Sequence, residues 1–283
     1  MIPVFYRREQ SCDAAVGYSP SAGKPALVMQ DWANNFLGDF QVETFNPATR
    51  EMLYTAHDPA YVDAVLDGER NNGFGNRDPK VAQSLLYTVG SMVAAAKHVL
   101  AQWAPERMVA VSPTSGFHHA GFASGGGFCT LNGLMVTAMW LKHLGLVDKV
   151  LILDFDQHYG NGTQDIIDHF DLDWVTHITA GRSYNTADEA LGQIRMLKRY
   201  ADKVDLVLYQ AGADIHVDDP LGGIMTTEQM YKRDRYVLRT CCQYGMPLVW
   251  NLAGGYQRDK TGGIEPVLAL HRQTMDVCLQ QYR

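Results

Sequence analysis

A chain of 283 residues, 46% hydrophobic and 19% charged, can bury one sizeable core, which excludes disorder for its bulk. A net charge of −7 without any Lys/Arg block excludes a nucleic-acid phosphate track, and five irregularly spaced cysteines with no CxxC exclude a fully paired disulfide scaffold. The start is too polar for a signal peptide and no run of eighteen apolar residues could span a membrane, so the expectation is one soluble, cytoplasmic domain over residues 1–283.

Residues 1–80 read as largely irregular, rich in Pro, Gly, Asn and Asp. Within them VETFNP (42–47) reads as a short strand, and DPAYVDAVLDG as a helix entered through Asp58 as N-cap and Pro59 at the first turn. GERNNGFGNRDPK (68–80) reads as loop, and a helix buried on much of its surface begins at Val81. From there the chain alternates. Strands are predicted at 107–112, 149–156, 174–179, 205–212 and 247–254, and helices at 130–145, 163–170, 188–203, 226–245 and 264–282. Short apolar strands separated by helices predict an α/β fold with a mostly parallel sheet covered on both faces.

In open parallel sheets, sites gather beyond the carboxyl ends of the strands. Four predicted strands run into polar, Gly-rich loops: SPTSGFHHAGFASGGGF, DFDQHYGNGT, AGADIHVDDPLGG and AGGYQRD. On an extended backbone Asp154, Asp156 and His158 share one face. A buried aspartate is costly unless paired or metal-bound, and Asp-x-His offers an oxygen and a nitrogen to one ion. Asp214 is the leading third ligand; Asp218 and Asp219 compete with it but read better as a turn before Pro220. Such a set suits zinc with water in the remaining position, and iron or cobalt as well. The bland alternative is solvated loop chemistry. His118 and His119, set between Gly116 and Gly121, are then free for proton transfer, although one of them could equally face solvent. Tyr256, after Gly254-Gly255, either covers the sheet edge or offers a phenol to an oxyanion.

GFHHAG, GGGFCTLNG, LILDFDQHYGNGT, QAGADIHVDDPLGG and NLAGGY, in this order, resemble the histone deacetylase superfamily, which includes bacterial acetylpolyamine amidohydrolases. The resemblance runs from about His57 to about Tyr256 and implies an arginase/deacetylase-like three-layer fold with the metal at the strand C-termini. It makes Asp156, His158 and Asp214 the zinc ligands, His119 the general base and His118 its electrostatic partner. It also implies that Asp154 bonds to His118 beside a structural potassium site, and that Asn161 orients His119. Tyr256 would polarise the acyl carbonyl. Gly127 would accept the substrate amide N–H, and Phe128 would wall the channel. The implied reaction is hydrolysis of a small N-acylated amine or an acyl-lysine, with no organic cofactor.

The chain departs from the family in places. Tyr159 stands where His is common, and GYSPSAGKP (17–25) replaces a His-Pro-Glu-type loop followed by Arg. The segment after Thr179 is short, so the second channel wall has to come from Tyr18, Phe74, Tyr184 or a second subunit of a homo-oligomer. Asp78 stands near a rim position that grips substrate, and reads equally as a helix cap. A binuclear ureohydrolase and a non-catalytic acyl-amine binder are the competing functions.

Overall fold

The computed structural model describes residues 1–12 and 19–282. Among these residues, seven strands form one sheet: β1 (Ile2–Phe5), β2 (Phe40–Glu43), β3 (Val109–Ser112), β4 (Val150–Asp154), β5 (Val175–Ile178), β6 (Leu206–Gln210) and β7 (Leu248–Asn251). Their order is β2-β1-β3-β7-β6-β4-β5, and every pairing is parallel.

The central strands are apolar on both faces because both faces are covered. Val109, Val111, Leu151, Leu153, Val207, Tyr209, Leu248 and Trp250 pack on one side. The alternate residues Ala110, Val150, Ile152, Leu206, Leu208 and Val249 pack on the other. This period of two feeding two cores is why the strands read as continuous apolar runs. The first face is covered by α1 (Lys24–Asn35), α7 (Ala187–Arg195), α8 (Thr227–Tyr244) and α9 (Glu265–Gln281). The second is covered by α2 (Arg50–Tyr54), α3 (Pro59–Leu66), α4 (Pro79–Leu100), α5 (Gly133–His143) and α6 (Asn161–His169). The result is the three-layer arrangement expected from the alternation.

Helix ends follow capping chemistry. Asp58 accepts from Ala60 N–H at 2.9 Å, with Pro59 opening α3. Thr226 and Gln229 form a capping box on α8, which closes at Gly245 with φ +61. Asp78 likewise accepts from Lys80 N–H at 2.8 Å, so α4 starts at Pro79 rather than Val81.

The N-terminal segment differs most from expectation. It contributes β1, α1 and α2, and its strand β2 lies at Phe40–Glu43 rather than 42–47. In α1 the buried residues Val28, Met29 and Trp32 recur at helical spacing behind Pro25, and Trp32 meets Trp250 edge-on at 5.6 Å. The helix expected over 188–203 ends at Arg195 and continues as a separate 3₁₀ turn, Leu197–Tyr200.

Candidate metal centre

Strands β3, β7, β6 and β4 are neighbours in the sheet, so the four Gly-rich loops leave its carboxyl edge side by side. β4 ends at Asp154, and the residues beyond it are loop. Asp156 N–H donates to Asp154 Oδ1 at 3.3 Å, and His158 N–H donates to Asp156 Oδ1 at 3.0 Å. Side chain to backbone two residues on is the Asx-type turn. It gathers these three side chains where the sequence reading invoked a simple extended strand.

Asp156, His158 and Asp214 converge, with one donor atom from each within 4.8 Å of the others. His158 Nδ1 lies 3.2 Å from Asp156 Oδ1 and 3.3 Å from Asp214 Oδ2. Gly254 N–H donates to Asp156 Oδ2 and Gln157 N–H to Asp214 Oδ1, at 3.0 and 3.2 Å. Asp214 Oδ2 is buried, and the His158 Nδ1 beside it makes no well-formed hydrogen bond to it. Two buried carboxylates cannot easily both ionise: burial, then the Asp156 charge, pushes Asp214 up to about 7. The adjoining carboxylates, Asp156 and then Asp214, push His158 up to about 10. The set is short of positive charge and has an orphaned oxygen aimed inward, so these residues fit a metal ion. Asp218 is mostly exposed and belongs to the turn, as expected. Asp219 instead turns inward, and its Oδ2 accepts the Tyr256 N–H at 2.8 Å.

Glycines permit the close approach. A Cβ on Gly254 would sit 2.2 Å from Asp214 Oδ2, and one on Gly127 would sit 2.4 Å from His119 Cδ2. Gly127 and Phe128 are both left-handed, with φ of +52 and +63, which turns Phe128 toward Tyr256 at 5.8 Å between ring centres.

The tandem histidines stand beside this candidate ligand set with their rings 4.1 Å apart. His118 is buried; its Nδ1 bonds Asp154 Oδ2 at 2.8 Å and its Nε2 lies 3.5 Å from Asp156 Oδ1. Burial opposes its charge, but Asp154 and then Asp156 prevail and push it up to about 9. His119 shifts the other way, lowered by burial and then by His118. Its Nδ1 bonds Asn161 Oδ1 at 2.5 Å. That oxygen only accepts, so Nδ1 carries the proton and Nε2 the lone pair. Burial, reinforced by Asp156 and Asp214, holds the Tyr256 phenol protonated.

Several contributors were not singled out in the sequence. His57 is buried, binds Gly121 O through Nδ1 and accepts Asn132 N–H at Nε2, both at 2.8 Å, which pins the histidine loop to the start of α5. His177 Nε2 approaches Asp154 Oδ2 at 3.6 Å. Lys24 is fully buried, and its Nζ donates to Ala253 O at 2.5 Å. Burial lowers Lys24 to about 8 against the pull of Asp214, Asp156 and Asp219. No local spacing marks these residues, because only the tertiary fold brings them to the site. Of the expected wall residues, Phe74 lies 5.9 Å from Phe128, and Tyr18 falls outside the described residues. Tyr184 is 1% exposed and lies behind the site, so it is no channel wall. Asp78 serves as the α4 cap.

A family profile described as "Histone deacetylase domain" matches residues 24–177 and 169–267. An uncharacterised protein of Picosynechococcus sp. is 31% identical over 81% of this chain and 83% of its own length. Histone deacetylase 2 of Arabidopsis thaliana is 29% identical over 63% of this chain and 52% of its own. Among solved structures, an HDA15 HD domain superimposes with a TM-score of 0.78 at 22% identity, covering 99% of this chain and 90% of that one. An acetylpolyamine aminohydrolase from Burkholderia pseudomallei gives 0.74 at 18% identity, covering 98% of each.

Proposed function

Because the chain belongs to the histone deacetylase family, we propose that it is a zinc-dependent amidohydrolase that cleaves a small N-acyl amine, or an acyl-lysine, to a carboxylate and a free amine. The observation that carries the reading is the pair of adjacent imidazoles, one bonded to the Asp154 carboxylate and the other to the Asn161 amide oxygen, beside a three-residue candidate ligand set. Environments that push two titratable neighbours in opposite directions assign an acid and a base.

Asp156, His158 and Asp214 would hold the zinc, which when bound supplies an acidified water and polarises the acyl carbonyl. His119, with a free Nε2 and a lowered pKa, takes the proton of the attacking water. His118, held cationic between Asp154 and Asp156, stabilises the negative charge that develops and provides a proton toward the leaving amine. The protonated Tyr256 phenol donates to the substrate oxygen as it gains charge. The adjacent Phe128 and Tyr256 rings would line the approach of an apolar stem, and the Gly127 carbonyl would accept the amide N–H. The net charge of −7 favours cationic amines over anionic ones.

The test is hydrolysis of acetylated polyamines, acetyl-lysine peptide and longer acyl-lysines by metal-quantified protein, with Tyr256→Phe alongside. The expected result is turnover of at least one class, abolished by a chelator and strongly reduced in the variant. Failure of the chain to bind a metal tightly under several loading conditions would sink the reading.

A further inference from the structure

The family resemblance implies a potassium ion beside Asp154, and the oxygens there do not fit one. A monovalent cation here would need several of these oxygens to converge on one open point, and each of them is already met by one of the chain's own donors. The Tyr184 hydroxyl donates to Asp154 O at 2.9 Å and approaches Asp156 O at 3.3 Å. The carbonyl between these two, Phe155 O, faces Arg233 Nη1 at 3.4 Å, and the same nitrogen donates to Gly212 O at 2.7 Å. The Asp154 carboxylate is likewise engaged. Its Oδ1 accepts from Gln210 Nε2 at 2.8 Å, and its Oδ2 accepts from His118 Nδ1 at 2.8 Å and Thr179 Oγ1 at 3.3 Å. The Thr179 hydroxyl oxygen in turn accepts the Gly160 N–H at 3.0 Å.

We infer that the phenol of Tyr184, with the buried Arg233 guanidinium, replaces the structural monovalent cation under the Asp154–Asp156 turn, so that this chain holds its ligand loop without potassium. Three features support it. Tyr184 is buried and stacks on Phe155 at 5.2 Å and 15° between planes, which fixes the hydroxyl under the turn. Arg233 is wholly buried, paired with Asp234 at 2.8 Å, and its Nη1 already faces Phe155 O, between the two carbonyls that Tyr184 meets. The short segment after Thr179 delivers Tyr184: Ser183 N–H bonds back to Thr179 O at 2.9 Å, which turns the chain inward to the phenol. Tyr184 is thus a positioning residue for Asp156, acting through its backbone.

The inference rests on family membership, and not on the proposed amide hydrolysis. Its test therefore reads stability and metal content rather than turnover. Thermal midpoints are measured in potassium, sodium and N-methylglucamine chlorides at one ionic strength, and potassium per chain is counted by elemental analysis after desalting from potassium buffer. The expected result is one midpoint in all three salts and no stoichiometric potassium. A potassium-specific, saturable rise of more than about 3 °C, the size a specifically bound ion gives a chain of this length, would overturn it. So would one retained potassium per chain. Tyr184→Phe keeps the stacked ring and removes the donor. It is expected to lower the midpoint by several degrees in every salt, and an unchanged midpoint would show that the phenol holds nothing. If that variant does not fold, the salt series on the unaltered chain still decides.

Discussion

Replacing Gly254 by alanine should disable the metal centre while leaving the fold in place. Gly254 is not among the left-handed glycines, so alanine is compatible with its backbone and only space is at issue. The added carbon would stand 2.2 Å from Asp214 Oδ2 and 2.8 Å from Asp156 Oδ2. An unforced carbon–oxygen contact is about 3.3 Å, so Asp214 has to retreat by roughly 1 Å. Metal–ligand distances tolerate about 0.2 Å. One ligand of three is then lost and a second disturbed, and zinc affinity should fall by at least about 100-fold, equivalent to about 2.7 kcal/mol. Competition against a chromophoric chelator measures this, with circular dichroism to establish that the fold persists. Gly126→Ala is the matched control: it lies in another site loop, its φ is ordinary and its Cβ would meet nothing within 4 Å. Zinc affinity in Gly254→Ala equal to that of the control would refute the steric reasoning.

Three other changes have definite signs. Asn161→Asp puts a carboxylate where an amide oxygen now lies 2.5 Å from His119 Nδ1. The His119 pKa should rise by about 1–3 units and carry the acidic limb of the kcat/KM profile to higher pH; an unmoved limb would exclude His119 as the base. Tyr256→Phe should lower kcat by about 10²–10³ with KM little changed, as loss of one oxyanion donor does; a pure KM effect would reassign the phenol to binding. His57, neutral in the fold with its pKa lowered by burial from 6.5 to about 4, should make the chain less stable as pH falls from 6.5 toward 4. The loss is about 3 kcal/mol. His57→Gln should flatten that part of the melting profile, and an unchanged slope would place the titration elsewhere.

The central half of the fold was legible because its signals are local. Strands such as VLILD are apolar throughout, and Asp58-Pro59 and Thr226 announce helix starts in a few residues. The convergence of the candidate triad was legible for a related reason: Asp156 and His158 share one turn, and Asp214 follows the neighbouring strand. What was not legible depends on packing at long range. The four residues of β1 carry too little pattern to stand out, and the apolar stripe of α1 sits among Pro, Gly and Asn. Lys24 reaches Ala253 across 229 positions, and His177 comes to Asp154 only because β5 lies beside β4. Tyr184 could be read as an aromatic but not as a donor, since its role lies in which carbonyls it faces.

The place of β7 in the sheet has a consequence for how the chain is made. It is the last strand in sequence, yet it lies between β3 and β6. During synthesis, the edges of β3 and β6 wait for residues 248–251, and parallel pairing over such separations forms slowly. Until β7 inserts, the Gly254 N–H is not against Asp156 and the Asp219 carboxylate has no Tyr256 N–H to hold. The nascent chain therefore carries most residues of the candidate centre well before they are gathered. Assembly of the site and closure of the sheet are one event.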